Sequence, residues 1–416
     1  MTDELARLRE RLAAQVVAVN QIRSDRVAAA LREVPRHLFL PDLPPESAYR
    51  DDAIVTKRDA EGIPVSSSSQ PAIMAIMLDQ LDLALGHRVL EIGAGTGYNA
   101  ALIRHIVGSS GSVVTVDIDS DLTDAAREHL ASAGYADVTV ACADGAGGWP
   151  DGAPYDRVIA TVGVSDLAPA WVAQAGPSGP DARIVVPLDV RGMQLSVAFM
   201  QAEGHWTSRA LAPCGFLRMR GSLAGPERVM VLRPGLTVTI PDPGGPDVYP
   251  AALAAALSGA PVRFGTGVRA VSARVFWGVG LWLAACEPRS CKVDEYQPAE
   301  GGTAGIADAP LRARAILATV GIMDPGGIAL LTAAPSHGPV HEELALDATG
   351  FGPSGSALAA DLAAHIRAWD QAGQPGTAGL RIDAYPRLGV VPPVPAAGGL
   401  LIERRGTRFL VYRPRA

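Results

Sequence analysis

Val89-Leu90-Glu91-Ile92-Gly93-Ala94-Gly95-Thr96-Gly97-Tyr98 begins apolar, turns on glycines at alternate positions and runs into the apolar pattern Ala100-Ala101-Leu102-Ile103. Its opening reads as the end of a buried parallel strand and its close as the start of a helix, which makes a strand, tight turn, helix unit. Glycine suits such a turn because a ligand lies directly on the backbone, where a Cβ would hold it off or forbid the required φ.

The spacing narrows the ligand. A dinucleotide fingerprint, Gly-x-Gly-x-x-Gly, would need glycine where Tyr98 stands, so the pyrophosphate reading weakens. Gly-x-Gly-x-Gly with Glu91 just ahead of it resembles instead the S-adenosyl-L-methionine (SAM) methyltransferases built on a doubly wound sheet. Ser112 to Asp117 reads as the next strand and ends in a carboxylate at about the interval expected of a ribose-binding acid. A third strand end, Ala141-Cys142-Ala143-Asp144-Gly145, offers Asp144 to the adenine amino group. Any one of these alone is an ordinary strand-ending turn. Three in register, at the carboxyl ends of successive strands, point to one cofactor. The expected SAM-binding set is Glu91, Gly93, Ala94, Gly95, Thr96, Gly97, Asp117, Ile118, Asp144 and Gly145, with S-adenosyl-L-homocysteine as product.

A chain of 416 residues is long for one domain and suggests two. The net charge of -7 argues against nonspecific nucleic-acid binding, which needs a basic face. No apolar run reaches the roughly 18 residues of a membrane span, and no charged-then-apolar leader opens the chain. A cytoplasmic protein without a membrane partner is therefore expected. Cys142, Cys214, Cys286 and Cys291 are few and scattered, which suggests buried structural thiols rather than a disulfide framework or a zinc site. His337, His341 and Glu342 imitate a metal pair, but Gly338-Pro339 breaks the helix they would need, and no metal is expected.

Leu5, Leu8, Leu12, Val16 and Val19 mark an amphipathic first helix, and Ser24 is placed to cap a second that ends before Pro35. Then come Val34-Pro35-Arg36-His37-Leu38-Phe39, Tyr49-Arg50-Asp51-Asp52-Ala53 and Ser66-Ser67-Ser68-Ser69-Gln70-Pro71. In this order, ahead of the glycine turn, they resemble the motifs of the protein-L-isoaspartate O-methyltransferases. The resemblance continues through Pro154 to Ile159 and Arg183 to Leu188, over roughly the first half of the chain. It implies that Ser69 holds the acceptor carboxylate beside the methyl group, with Ser66, Ser67, Ser68, Gln70 and Tyr49 on the substrate side. A serine run before a helix would present hydroxyls and N–H groups to an anion.

One departure bears on the acceptor. Between the Tyr49 and Ser69 motifs lies a long charged link, Ile54 to Val65, and serines replace the family's Thr-Ile-Ser. The substrate side is altered where the cofactor side is kept. Phe216 to Gly221, Ala368-Trp369-Asp370, Gly373 to Gly376 and Tyr385-Pro386 are moreover similar to the extended, FxLD-type homologues associated with ribosomally made peptides such as lanthipeptides and graspetides. That resemblance implies an ordinary Asp in a macrocyclic precursor peptide as acceptor, its ester closing to an aspartimide. Repair of isoaspartyl residues is the alternative.

The expected architecture is a Rossmann-like α/β methyltransferase domain over residues 1–230 and a mixed α/β or α+β accessory domain over 235–416, joined by a Pro/Gly-rich connector at 234–250. In the accessory domain, Val275 to Trp282 reads as a buried strand. Leu358, Leu362, Ile366 and Trp369 mark a helix face, and Leu400 to Tyr412 a hairpin.

Overall fold

The computed structural model describes residues 2–175, 179, 181–241, 245–296, 308–313, 316–333, 343–395 and 399–414. Helices α1 (Thr2–Asn20) and α2 (Asp25–Glu33) open the chain, and the Ser24 hydroxyl accepts the Val27 N–H at 3.3 Å to cap α2. A short α3 (Pro45–Ala48) leads to β1 (Ile54–Arg58) and β2 (Pro64–Ser68). These two pair antiparallel, so the charged link is a hairpin.

After α4 (Pro71–Leu81) come β3 (Arg88–Ile92), α5 (Tyr98–Val107), β4 (Ser112–Asp117), α6 (Ser120–Ser132), β5 (Thr139–Cys142), β6 (Arg157–Ala160), α7 (Pro169–Ala175) and β7 (Arg183–Val190). The strands among these are parallel, and β3 is central: Leu90 lies opposite Val114 of β4 on one side and Val158 of β6 on the other. Side-chain alternation buries both faces. Val89 and Val113 join the core under α1, α2, α4 and α5, while Leu90, Val114 and Val158 join the one around Trp171. Because successive strands leave β3 in opposite directions, a crevice opens at the carboxyl ends of β3 and β6, where α/β sheets bind ligands.

Antiparallel β8 (Met193–Ala202) and β9 (His205–Pro213) extend this sheet beyond β7. The chain then builds a second, antiparallel sheet from β10 (Arg228–Arg233), β11 (Leu236–Ile240), β12 (Val262–Val271), β13 (Ser290–Tyr296), β14 (Leu311–Ala313), β15 (Ile316–Asp324), β16 (Gly327–Ala333) and β17 (Glu343–Phe351). Helix α8 (Pro250–Leu257) packs on one face, with α9 (Ser272–Cys286) and α10 (Gly355–Gln371) on the other. Leu358, Leu362, Ile366 and Trp369 are buried, as their spacing predicts. Finally β18 (Arg381–Pro386), β19 (Gly399–Glu403) and β20 (Thr407–Tyr412) pair with one another, β18 docking on β9.

Several expectations are corrected. The C-terminal hairpin exists, but it completes the first sheet, so residues 235–416 are not one separate unit; Ile382, Ile402 and Phe409 bury themselves in the core around Trp171. The second sheet begins at β10, and the supposed connector contains β11, every residue of it buried. Val275 to Trp282 is helix, not strand. Val275, Phe276, Val279 and Leu283 fall at helical spacing and are buried against the second sheet. Gly278 and Gly280 let this helix approach closely, since a Cβ there would meet Trp369 Cζ2 at 2.8 Å and Met193 Sδ at 2.4 Å. All four cysteines are free, but Cys142 and Cys286 are exposed. His337, His341 and Glu342 lie outside the described residues. Among the described residues no side chains cluster as a metal site, and no helix is long and apolar enough to cross a membrane.

Candidate active site

The turn after β3 forms the floor of a cavity at the sheet's switch point. Gly93, Ala94, Gly95, Thr96, Asp117, Ile118 and Gly145 line it, with the Ser66 to Ser69 run above. Gly93 (φ +100°) packs so tightly that a Cβ would sit 2.8 Å from Thr161 Oγ1 and 3.0 Å from Val162 Cγ1. Thr161 donates to the Gly93 carbonyl at 2.7 Å and fixes the turn against the end of β6. At Gly95 (φ +51°) the N–H donates to Asp117 Oδ2 at 3.0 Å, so the second strand's carboxylate faces the glycine turn directly.

Three of the expected cofactor residues stand behind the wall instead of in it. Glu91 is fully buried and accepts from Asn99 Nδ2 at 2.7 Å and Thr115 Oγ1 at 2.6 Å. Burial outweighs both hydrogen bonds and pushes its carboxyl up to about 7. Gly97 begins α5 with φ +85° and lies against Ala126 and Leu130 of α6, which is a packing role. Asp144 accepts the N–H groups of Ala146 at 3.0 Å and Ser222 at 2.8 Å, and through Ser222 it pulls the segment after β9 over the cavity.

The serine run closes strand β2, with Ser69 just beyond its end, and is not a helix N-terminus. Strand β2 alternates: Ser66 and Ser68 are buried and line the first cavity only, whereas Ser67 and Ser69 line both it and a second cavity beyond. Thr56 Oγ1 donates to the Ser66 hydroxyl at 3.0 Å, while the buried Ser68 hydroxyl has no partner among the described residues. The helix N-terminus expected to greet an anion is occupied. Pro71 has no N–H, and Asp51 accepts the Ala72 N–H at 2.8 Å. Gln70 is committed to the same carboxylate, its Nε2 lying 3.2 Å from Asp51 Oδ2, although its side chain lines the second cavity. Tyr49 is 5 % exposed, shares a hydrogen bond of 2.8 Å with His37 Nδ1 and lines neither cavity.

Other residues complete the site without having been singled out in the sequence. Arg36 is wholly buried, sits over the Tyr98 ring at 5.1 Å and donates to the Ser69 carbonyl at 3.1 Å. Its signal was the Val-Pro-Arg-His motif. Desolvation pulls its guanidinium below the usual arginine range. Phe216 to Arg220 form the outer wall, clamped by Gln194, whose Oε1 accepts the Phe216 N–H at 2.6 Å. Asp119 joins two covers of the cavity, accepting from Lys57 Nζ of β1 at 2.9 Å and from Arg220 Nη2 at 2.8 Å. The Arg220 guanidinium foremost, with Lys57 beside it, holds the Asp119 carboxyl below the usual range.

The chain is similar to known proteins over the half that carries this site. The model of the family protein-L-isoaspartate(D-aspartate) O-methyltransferase (PCMT) matches residues 7–223. A protein-L-isoaspartate O-methyltransferase of Methanopyrus kandleri is 37% identical over 217 residues, which is 52% of this chain and 92% of that protein. A solved protein-L-isoaspartate O-methyltransferase aligns with 90% of this chain and 96% of its own at a TM-score of 0.49 and 22% identity. Another, from Plasmodium falciparum in complex with S-adenosyl-L-homocysteine, aligns with 51% of this chain and 98% of its own at a TM-score of 0.44 and 14% identity.

Proposed function

The chain belongs to the protein-L-isoaspartate O-methyltransferase family and is a SAM-dependent carboxyl O-methyltransferase, and from that premise we propose that its acceptor is the free carboxylate of an isoaspartyl residue in a peptide. The observation that carries this reading is the junction at Ser67 and Ser69. Both residues line both cavities, and their hydroxyls make no hydrogen bond among the described residues.

The residues of the first cavity fit the cofactor. Glycine turns at positive φ leave the backbone bare, Asp117 reaches the turn, and the buried Ser68 hydroxyl lacks a partner among the described residues. We assign Asp117 to the ribose hydroxyls, Gly93 to Thr96 and Ile118 to the bed beneath the cofactor, and Gly145 to the adenine side. When bound, SAM supplies a sulfonium methyl; a carboxylate oxygen forms the new O–C bond as the S–C bond breaks, and the two opposite charges cancel. The acceptor is an α-carboxyl, with a reference pKa of about 3.3–3.7, and is ionised at neutral pH, so the protein need not remove a proton. Its task is to hold the oxygen in line, within about 3–3.5 Å, away from water. Ser69 does the holding. Arg36, wholly buried behind the site, fixes the Ser69 main chain.

A second reading keeps an ordinary Asp of a macrocyclic precursor peptide as acceptor, with an aspartimide as product, in the manner of lanthipeptide and graspetide maturation. It is favoured by the β1–β2 hairpin and by the second sheet closing on the acceptor side, features suited to a particular partner. The names of the relatives favour the isoaspartyl acceptor. The test is kcat/KM on an isoaspartyl peptide against a macrocyclic Asp peptide, read by mass spectrometry. Preference for the first establishes the main reading. Preference for the second, with gain of a methyl group followed by loss of methanol, replaces it.

A further inference from the structure

The second cavity has a volume of about 320 Å³ and lies between the two sheets. Ser67, Ser69, Phe216 and Leu217 line it as well as the first cavity, so the two adjoin where the acceptor carboxylate is assigned. Its far wall is apolar. Phe276 and Trp277 of α9 meet edge to face with ring centroids 5.0 Å apart, and Leu311, Ile316 and Ala318 continue the surface along β14 and β15. The charged lining residues are Asp52, Lys292 and Asp294. Lys292 Nζ lies 3.0 Å from Asp294 Oδ2, so that pair neutralises itself and Asp52 leaves the lining negative.

We propose that this cavity receives an aliphatic or aromatic side chain next to the acceptor residue in the peptide, and disfavours an acidic one. The proposal rests on the peptide-carboxylate reading above. A residue whose carboxylate sits at Ser69 must send its neighbours along the protein surface, and the cavity walled by Trp277 adjoins that point. An apolar side chain entering there leaves water for apolar walls, which is worth about ten- to a hundredfold in affinity when burial is complete. An acidic side chain would face Asp52 and Asp294, with the single ammonium already engaged. The second sheet thus supplies flank selectivity, while the first supplies methyl-transfer geometry.

The experiment uses the full chain with SAM and two peptide series, isoaspartyl and macrocyclic Asp, each carrying Gly, Leu, Phe or Glu beside the acceptor on either side. Leu and Phe are expected to raise kcat/KM over Gly about tenfold, mainly through KM, and Glu to fall below Gly. Leu311→Trp, which fills the cavity from the second sheet, should bring the Leu-to-Gly ratio close to one. Ala53→Trp, at an exposed position on the opposite wall, tests the same point should Leu311→Trp fail to fold. A flat series with turnover intact, or a filled variant that keeps the preference, overturns the pocket alone. No methyl ester on any peptide would overturn the acceptor reading and the pocket together.

Discussion

Two cavities meet at Ser67 and Ser69, and they are assembled differently. The floor of the first comes from strand ends and turns of the parallel half of one sheet: Gly93 and Thr161 directly follow β3 and β6, Asp117 ends β4, and Gly145 lies in the turn after β5. The second borrows its far wall from α9, β13 and β15 of the other sheet, joined to the first through close packing at Gly280 and Met193. A cavity of the first kind is fixed by backbone geometry and tolerates little change. One of the second kind is fixed by packed side chains and can vary with the partner it serves.

The largest expected effect lies in the first cavity. Gly93→Val places a branched side chain at φ +100° and drives its Cβ to within 2.8 Å of Thr161 Oγ1. Left-handed strain and overpacking together cost about 2–5 kcal/mol, which the free protein relieves by shifting the turn out of its binding shape, so SAM affinity should fall at least roughly thirtyfold. Calorimetry showing unchanged affinity would mean that this turn is not the cofactor's bed. Gly95→Val should do less to the bare protein, because its Cβ would meet Ser67 O at an ordinary 3.5 Å.

At the junction, Ser69→Ala separates the two cavities' roles. Loss of one transition-state donor costs on the order of 2–4 kcal/mol, so kcat should drop by about two orders of magnitude while SAM affinity holds. Equal turnover by variant and parent would remove the Ser69 hydroxyl from the mechanism.

Beneath the first cavity, Glu91→Gln tests electrostatics. Its carboxyl is raised to about 7 in the folded protein, from an ordinary 4.5. The folded chain therefore holds a proton that the unfolded chain has lost, and stability falls as pH rises from about 4.5 to 7, then levels off. The full shift corresponds to up to about 3 kcal/mol. Glu91→Gln abolishes that slope, so its stability relative to the parent should climb between pH 5 and pH 8 in denaturant titrations. A constant difference across that range would show that Glu91 is ionised throughout.

The same contrast decides what was legible in the sequence. The glycine turn, Asp117 and the parallel strands could be read because each is a local pattern with a local cause. Helix α9 could not, since Val275-Phe276-Trp277 favour strand and two glycines weaken a helix on intrinsic grounds, and only packing against Trp369 and Met193 reverses that. The return of the C-terminal strands depends on Asp383 and Ala384 pairing with Thr207 and Trp206, far away in the chain. Asp51 capping α4 was equally hidden, and it removes the anion site that the serine run seemed to promise. Tyr49 and Gln70 belong to a correct motif but serve to shape the loop rather than face the first cavity.

The smallest effect belongs to the cover of the first cavity. Lys57 reaches from β1 to Asp119 at 2.9 Å and to Asp121 at 2.8 Å, and Asp119 also holds Arg220 from the opposite wall. One carboxylate thus ties the hairpin to the segment after β9, across the residues assigned to the cofactor. Such a tie is partly exposed, so its strength is modest and screened by salt. Lys57→Met keeps most of the stem but removes the charge, and Arg220 remains on Asp119. The expected result is a few-fold faster release of SAM at low ionic strength, shrinking toward parity near 1 M salt, where the screening length is about 3 Å. Because β1–β2 also borders the second cavity through Val55 and Pro64, a hairpin that moves as one body should weaken peptide binding in the same proportion. Faster SAM release with KM for peptide untouched would show that the two cavities are gated separately.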